Sequence, residues 1–200
     1  MAAAASRDTR NRIVQAATEL FWEKGYASTS IAEILGRAEV NSGSLYYFFP
    51  GKQDLLIAVL KSYRDGIGPM LLEPVWAGID DPIERIFALL AKYRELIVIT
   101  DCLYGCPIGS LALELHEPDP AVRTVIAENF SAWSGAIRDC LQQARGRLAR
   151  EVDPSSLAEF TLAVMEGGVM LARTYRDVAY FDRCVAQLRD HYHQWTGGKT

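Results

Sequence analysis

Residues 28–52, STSIAEILGRAEVNSGSLYYFFPGK, decide the fold of the first part of this chain. Ser30 and Glu33 have the spacing of a capping box, in which each side chain satisfies a free backbone amide at the start of one helix. Asn41 is suited to cap a second short helix, which ends at Pro50-Gly51. The stretch therefore predicts two short helices separated by a tight turn.

The second predicted helix opens with small polar residues and continues with aromatic ones. Ser42, Gly43 and Ser44 occupy its first turn, where small side chains let a helix backbone come close to the wide major groove of DNA. The serine hydroxyls and the tyrosines Tyr46 and Tyr47 can reach phosphates or base edges. We therefore predict that this helix reads DNA.

The aromatic run at residues 46–49 has a second interpretation, as part of a hydrophobic core. One helix cannot present four consecutive aromatic side chains to one groove, so some of them must face inward. Leu45 and Phe49 are one helical turn apart and are expected to face the core. The DNA interpretation requires that Ser44 and Tyr46 are accessible to solvent.

Helix-start signals organise the rest of the chain. Aspartate precedes proline at Asp81, Asp119 and Asp153. Aspartate accepts hydrogen bonds from free first-turn amides, and proline lacks an amide that would be unpaired there. Asp177 marks a fourth start. Together with the apolar periodicity, these signals predict a loop over residues 66–81 and helices near 8–24, 30–37, 42–48, 52–66, 82–100, 107–116, 120–148, 154–175 and 178–195.

These elements predict an all-α protein with two parts. Alternating β-patterns bounded by hairpin turns are absent from the sequence. We predict an N-terminal three-helix helix-turn-helix domain over residues 1–52. A larger helical ligand-binding and dimerisation domain is predicted over residues 53–200, with the junction in the helix that starts near Lys52.

Charge is distributed unevenly between the two parts. The chain has a formal net charge of −4, but residues 1–52 contain six Lys/Arg and five Asp/Glu. This faint basic balance permits DNA binding without demonstrating it. No unbroken apolar run approaches the ~20 residues of a membrane helix, and no secretory leader is recognisable. We therefore expect a cytoplasmic protein with no membrane partner.

Motifs for catalysis, cofactors and metals are absent from the sequence. No Gly-x-Ser-x-Gly, P-loop or dinucleotide motif occurs, which argues against an enzyme and predicts no cofactor. Cys102, Cys106 and His116 could suggest a metal site, but Gly105 and Pro107 interrupt the ligand spacing. We predict no metal and expect reduced thiols.

Spaced residues along the first part of the chain carry a family resemblance. They are Gly25-Tyr26, Thr29-Ser30-Ile31, Ile34, Val40, Gly43, Leu45-Tyr46-Tyr47, Phe49-Pro50, Lys52 and Leu55-Leu56. This pattern resembles the DNA-binding domain of the TetR family. The resemblance implies an all-α homodimeric repressor of double-stranded operator DNA. It also implies that the DNA-contacting positions are Thr29, Ser42, Gly43, Ser44, Tyr46, Tyr47 and Lys52.

Three positions depart from that family pattern. Glu39 stands where glycine is usual in the turn between the helices, and a left-handed backbone there would cost about 1 kcal/mol. Leu35 replaces a usual alanine, so the two helices are expected to pack slightly further apart. Ser42 replaces a frequent lysine, which removes a charge, so the operator sequence of relatives is not carried over to this chain.

Cys106 and Pro107 are predicted to form the start of a helix. A cysteine at a helix N-terminus lies in positive backbone potential, which lowers the thiol pKa and favours a reactive thiolate. Cys106 is thus a candidate electrophile or oxidant sensor; the alternative is a buried, inert thiol. The surrounding Gly-Cys-Pro segment resembles the LmrA/YxaF-like branch of the family, whose members respond to small hydrophobic compounds.

An effector pocket is predicted in the C-terminal part, because facing helices build cavities from their side chains. Arg173 could orient an anionic or carbonyl-bearing ligand. The alternative for each residue is an ordinary place in the core or on the surface. The candidate lining residues are Tyr63, Tyr93, Ile97, Cys106, Leu111, Phe130, Trp133, Met165, Val169 and Arg173.

The last two predicted helices are broadly apolar, and the resemblance implies that they form the homodimer interface. The alternative is that their apolar surface packs only within one protomer. We predict a repressor that a small-molecule effector releases from its operator. A helical small-molecule-binding protein without a DNA function is the main alternative, and an activator with the same fold is another.

Overall fold

The computed structural model describes residues 2–196, and every regular element within them is helical. The all-α prediction is confirmed for this part of the chain. The α-helices are α1 (Ala2–Lys24), α2 (Ile31–Ala38), α3 (Ser42–Phe48), α4 (Lys52–Gly66), α5 (Glu73–Trp76), α6 (Pro82–Ile99), α7 (Pro107–Glu114), α8 (Pro120–Gln143), α9 (Pro154–Tyr175) and α10 (Ala179–Trp195).

The predicted helix starts are confirmed by their capping hydrogen bonds. Asp81 Oδ1 accepts from the amide of Ile83 at 2.8 Å, and Asp153 Oδ2 accepts from that of Ser156 at 2.9 Å. The equivalent bonds from Ala121 to Asp119 and from Ala179 to Asp177 measure 2.8 and 2.9 Å. Each aspartate thereby satisfies a first-turn amide that has no partner within the helix.

The prediction of a loop over residues 66–81 is wrong for residues 66–76 and is confirmed for residues 77–81, which form a turn and irregular backbone. A π-helical segment (Ile67–Leu72) continues directly from α4 and leads into the single turn of α5. Leu72 is buried, and the indole of Trp76 donates to the carbonyl of Arg85 at 2.8 Å. Glycine and proline are tolerated here because these tertiary contacts outweigh weak local helix propensity.

Two other boundaries differ from the prediction. The first helix begins at Ala2 rather than near residue 8, because the alanine-rich start continues its helical pattern. The long helix α8 ends at Gln143 rather than near residue 148. A 3₁₀ turn (Arg145–Arg147) follows it and ends at the buried Leu148.

The chain packs into two compact units. The first comprises residues 1–65 and 107–129, and the second comprises residues 66–106 and 130–200. A functional domain boundary after residue 52 stays a prediction, since compactness and function divide a chain by different criteria. The core of the first unit includes Ile13, Ala17, Leu20, Phe21, Ile34, Leu45, Leu55, Leu56, Val59 and Leu60.

The second unit is built around the antiparallel pair α9 and α10, with α6 packed against both. The hydroxyls of Thr161 and Tyr192 share a buried hydrogen bond of 2.8 Å between α9 and α10. Phe87 of α6 meets the Tyr192 ring edge to face, with ring centroids 5.2 Å apart. These contacts define how the last two helices are aligned within one protomer.

Gly168 permits the close approach of α10 to α9. A Cβ atom at this position would lie 2.9 Å from Cδ2 of Phe181, which is closer than non-bonded carbon atoms approach each other. The Gly168→Ala variant is therefore expected to lose about 1–3 kcal/mol of unfolding free energy through overpacking. Urea titration followed by circular dichroism measures this change.

Gly36 provides the control for that prediction, because it lies within α2 and a Cβ atom there would meet nothing within 4 Å. The Gly36→Ala variant is expected to gain up to about 1 kcal/mol from helix propensity. Equal effects of the two alanines on the urea midpoint would contradict the packing role of Gly168.

One helix among the described residues, α9, is long and apolar enough to cross a membrane by length and composition alone. The sequence has no unbroken apolar run of this length. The mean hydropathy of α9 nevertheless meets the criterion, because an average over 18 residues tolerates the charged residues Glu159 and Glu166. The core helix of a soluble protein meets the same criterion. Buried residues of α9, including Leu157, Met165 and Val169, form part of the core of the second unit.

Candidate nucleic-acid interface

Helix α3 is positioned by a side-chain cap and by two apolar anchors. Asn41 Oδ1 accepts from the amide of Ser44 at 2.8 Å, as the sequence predicts. Leu45 and Phe49 are both buried, so the core interpretation holds for these two residues. Their burial turns the opposite face of this seven-residue helix towards solvent.

Two tyrosines occupy that outer face of α3. Tyr46 is 53% exposed and Tyr47 is 79% exposed, so neither belongs to the core. Tyr47 stacks edge to face on Phe48, with ring centroids 4.9 Å apart, which limits its conformations. Two neighbouring aromatic side chains this exposed form a candidate interaction surface.

The first turn of α3 is small and accessible. Ser42 and Gly43 are exposed, and Ser44 is partly exposed. A Cβ atom at Gly43 would meet only the Asn41 side chain, at 3.3 Å, so the backbone here lies open. The walls and base edges of a DNA major groove can therefore come close to the backbone of this turn.

The turn between α2 and α3 has the left-handed backbone that was expected to cost free energy at Glu39. Glu39 has φ 52° and ψ 50°, which is the left-handed region where glycine is usual. Arg12 Nη2 donates to the carbonyls of Ala38 and Glu39 at 2.5 and 3.0 Å. A cation at the C-terminus of α2 satisfies these free carbonyls and offsets part of the strain.

The contribution of Arg12 was not found by sequence reasoning, which counted it only among the six Lys/Arg of residues 1–52. Its partners lie 26 and 27 residues away, so no local pattern reveals them. Arg37 supports the same helix pair, since it bonds Glu19 and Glu23 of α1 at 3.1 Å each. Helix α2 is thus held to α1 by charge as well as by apolar packing.

Thr29 differs from its predicted role. Its side chain is only 1% exposed, and its hydroxyl donates to the carbonyl of Gly25 at 2.7 Å. The carbonyl of Leu20 lies 3.2 Å from the same hydroxyl. In this conformation Thr29 closes the turn between α1 and α2 and has no surface for a phosphate, so we do not retain it as a DNA contact.

Lys52, at the first position of α4, is partly engaged within the protein. Its ammonium donates to the carbonyl of Tyr26 at 2.5 Å and lies 4.3 Å from the centre of the Tyr26 ring. Burial lowers the Lys52 pKa, while the nearby carboxylates of Glu114 and Glu33 act in the opposite direction. The residue is only partly buried, so it keeps a face towards solvent.

A further cation lies beside α3. The guanidinium of Arg10 stands 5.3 Å from the centre of the Phe49 ring, at the C-terminal end of the helix. Arg10 is exposed, so its charge is available to an anionic partner. The outer face of α3 therefore combines small residues, phenol hydroxyls and a neighbouring positive charge.

Family models match both parts of the chain. Residues 13–59 match the model described as bacterial regulatory proteins, tetR family. Residues 82–187, more than half of the chain, match the model for the C-terminal domain of LmrA/YxaF-like transcriptional regulators. The chain belongs to the TetR family. Its LmrA/YxaF-like assignment agrees with the resemblance of the Gly-Cys-Pro segment.

Individual TetR-family proteins support this assignment. The HTH-type transcriptional regulator LmrA of Bacillus subtilis is 29% identical over 90% of this chain and 96% of its own length. The HTH-type transcriptional repressor DhaR of Mycobacterium sp. is 27% identical, covering 84% of each. The crystal structure of a TetR regulator from Chloroflexus aurantiacus superposes with a TM-score of 0.82 at 28% identity, covering 96% of this chain and 98% of that one.

Family membership decides several sequence-based alternatives. The chain is a DNA-binding transcriptional regulator, not an enzyme, so a binding protein without a DNA function is excluded. TetR-family regulators bind operator DNA and act as dimers. The DNA-contacting residues, effector and dimer surface of this chain remain predictions.

The predicted effector residues fall in both compact units. Tyr63 and Leu111 belong to the first unit, where Leu111 is buried. Arg173 is exposed at the C-terminal end of α9. In the second unit Phe130 is partly buried, and the remaining candidates are largely buried: Tyr93, Ile97, Cys106, Trp133, Met165 and Val169.

The second unit contains a partly buried polar cluster of Tyr93, Trp133, Cys106 and Glu166, of which Trp133 and Cys106 are buried. The indole of Trp133 donates to the Tyr93 hydroxyl at 3.1 Å, and their ring centroids lie 6.3 Å apart. The Cys106 thiol is hydrogen-bonded to the Glu166 carboxylate. Burial raises the pKa of Tyr93, and the nearby Cys106 and Glu166 raise it further.

Glu166 was missed by sequence reasoning. Its burial raises its pKa, so the fold disfavours the charged carboxylate, and the Cys106 hydrogen bond offsets only part of this. The signal available in the sequence was an acidic residue in the apolar stretch from Phe160 to Met170, directly before Gly167-Gly168.

Contact with Glu166 also bears on Cys106 as a reactive thiol. Cys106 is buried and its thiol is hydrogen-bonded to Glu166, which agrees with the alternative of a buried, inert thiol. Burial raises the pKa of Cys102 and raises that of Cys140 to about 11. Cys184 is the most accessible of the four thiols.

Brief alkylation is therefore expected to modify Cys184 first, with Cys106 reacting no faster than Cys140. Peptide mass spectrometry after seconds to minutes of iodoacetamide treatment measures the order of labelling. The urea-unfolded chain is the control, in which all four thiols should react at similar rates. Preferential modification of Cys106 in the folded protein would instead support a thiol sensor.

Proposed function

We propose that this protein is a repressor that binds its operator as a dimer and is released by a small, largely hydrophobic molecule. The observation that carries the proposal is the outer face of α3, where Tyr46, Tyr47, Ser42 and Gly43 are exposed around a helix anchored by Leu45 and Phe49. The relative DhaR is named a repressor, which supports the same sign of regulation. Such a protein acts in the cytoplasm, where the chromosome is accessible.

Readout of DNA is assigned to α3. Its first turn approaches the major groove, and the tyrosine hydroxyls donate to phosphates or base edges. Lys52, at the start of α4, and Arg10, beside Phe49, add positive charge on the C-terminal side of α3. One helix of seven residues covers few base pairs, so two copies in successive major grooves supply the specificity.

The dimer surface is assigned to α9 and α10. Residues on the outward side of α9 share one helical stripe with small side chains at its centre: Phe160, Ala163, Gly167, Met170 and Thr174. Phe160 and Met170 are exposed large apolar side chains, and a Cβ atom at Gly167 would meet nothing within 4 Å in the protomer. Such a stripe permits a second helix to come close.

The effector is assigned to the second unit, at the cluster of Tyr93, Trp133, Cys106 and Glu166. Binding sites for small molecules combine apolar walls with a few buried polar groups, and this cluster has both. A ligand can weaken DNA binding only by as much as it prefers the conformation with the wrong spacing of the two α3 helices.

Helix α4 offers one route for that change. It begins at Lys52 beside the DNA-reading helices and ends at Gly66, where the second unit begins along the chain. Within the first unit, Arg64 pairs with Glu128 of α8 at 2.5 Å, and the Asn129 amide donates to the carbonyl of Leu60 at 3.0 Å. These bonds fasten the C-terminal half of α4 to α8.

The test uses genomic DNA fragments that the purified protein retains, which are sequenced and labelled with a fluorophore. Anisotropy is expected to show tight binding that weakens steeply with salt, because phosphate contacts release counterions. Adding a library of small hydrophobic compounds should identify one that releases the DNA. Retention of no specific sequence, or affinity indifferent to salt, would contradict the proposal.

A further inference from the structure

The turn between α1 and α2 is held by a residue from a distant part of the chain. Tyr26 and Ala27 donate their backbone amides to the two carboxylate oxygens of Glu114, at 2.9 and 2.6 Å. Glu114 is the last residue of α7 and lies 87 or more positions further along the chain. One carboxylate thus provides the acceptors for two consecutive amides of this turn.

Gly25 makes this contact possible. Its φ of 89° is a conformation that other residues rarely adopt, and a Cβ atom there would lie 2.9 Å from Oε2 of Glu114. The carboxylate of Glu114 therefore approaches the backbone at a position where only glycine leaves room. Position 25 has a steric reason for glycine in addition to ending α1.

Lys52 also holds this turn. Its ammonium binds the carbonyl of Tyr26, and its charge is attracted to Glu114. Burial raises the Tyr26 pKa, and the neighbouring Glu114 carboxylate raises it further. The turn that leads into α2 is thus fixed between the end of α7 and the start of α4.

The location of Glu114 within its own helix is unfavourable. A carboxylate at a helix C-terminus faces the negative end of the helix dipole, where a cation would be stabilising. Its bonds to Tyr26 and Ala27 explain an acidic residue there. Helix α7 begins directly after Cys106, the residue bonded to Glu166 in the candidate effector cluster.

We propose that Glu114 is a positioning residue for DNA recognition, which holds the turn at residues 25–29 and thereby the orientation of α2 and α3. Through Glu114, a shift of α7 changes the orientation of the DNA-reading helices. Binding of an effector could thus change the orientation of α2 and α3 through α7 as well as through α4. The proposal rests on the proposed role of α3 in reading DNA.

The test compares Glu114→Gln and Glu114→Asp with Glu117→Gln, an exposed residue three positions further on. Glu114→Gln and Glu117→Gln each remove one negative charge, which by itself strengthens binding to DNA. Glu114→Asp keeps the charge but withdraws the oxygens from the two amides. Anisotropy measures binding to retained genomic fragments and to a scrambled duplex, at a temperature where circular dichroism shows each variant folded.

Positioning predicts that both Glu114 variants bind the retained fragments about tenfold more weakly than wild type. Their affinity for scrambled DNA should stay within about twofold, as should both affinities of Glu117→Gln. Glu114 variants that bind the retained fragments like Glu117→Gln would overturn the proposal, as would equal weakening on both DNAs. If the wild type bound no DNA, the proposed function itself would fail instead.

Discussion

Replacing Tyr46 with alanine is expected to weaken operator binding by roughly 30-fold or more while leaving the fold intact. A direct contact to a base edge or phosphate is worth about 1–3 kcal/mol, and a dimer makes each contact twice. Tyr46 is more than half exposed, so its removal creates no cavity in the core. Anisotropy with retained genomic fragments gives the affinity, and thermal unfolding reports the stability.

Two companion variants make this result specific. Tyr46→Phe keeps the ring and removes the hydroxyl, so it separates hydrogen bonding from apolar contact. Met70→Ala removes another large exposed side chain, in the second unit, and should change the affinity by less than about twofold. Operator binding by Tyr46→Ala within twofold of wild type would remove Tyr46 from the interface.

Introducing a charge at Ala163 is expected to separate the dimer. Ala163 is exposed near the middle of the outward stripe of α9, between Phe160 and Gly167. In a dimer formed through this face, the carboxylate introduced by Ala163→Glu would be buried without a partner and repeated across the symmetry axis. Such unpaired like charges are expected to raise the dimer dissociation constant at least about 100-fold. Sedimentation velocity at micromolar concentration measures it.

Ala91→Glu is the control for the dimer prediction. Ala91 is an exposed alanine in the middle of α6, so this variant introduces the same charge elsewhere in the second unit. It should remain dimeric and bind DNA normally. Ala163→Glu should lose most of its operator affinity, because a single half-site provides half the contacts. A fully dimeric Ala163→Glu would place the interface on another surface.

Local signals in the sequence predicted most of the helical plan. Asp81, Asp153 and Asn41 cap their helices through bonds to amides two or three residues ahead, a range that spacing in the sequence reveals. The burial of Leu45 and Phe49 followed from helical periodicity for the same reason. Such features depend on neighbours within one turn, so they can be predicted without the fold.

Features that depend on distant partners could not be predicted in this way. The orientation of the Thr29 hydroxyl depends on the carbonyls of Leu20 and Gly25, and its inward direction removes it from the interface. Arg12 and Glu114 bind backbone groups that lie 26 or more residues away in the chain. Their roles become visible only when the helices are assembled.

The residues of the candidate sites also differ in how far they could be predicted from local sequence. The sequence predicted which residues of α3 are small, polar and aromatic, and these lie together because one helix carries them. Glu166 was missed because its importance comes from burial beside Cys106, which belongs to a different segment. Residues that share an element can be grouped from sequence, whereas residues that meet across elements require the structure.

The central claim is that α3 lies in the major groove of DNA, and methylation protection tests it most directly. Dimethyl sulfate modifies guanine N7 in the major groove and adenine N3 in the minor groove, so one experiment distinguishes the two. On a retained genomic fragment, we expect protection of guanine N7 in two half-sites whose centres are separated by whole helical turns. This protection should be lost in Tyr46→Ala. Protection confined to adenine N3, or guanine protection that persists in Tyr46→Ala, would contradict the claim.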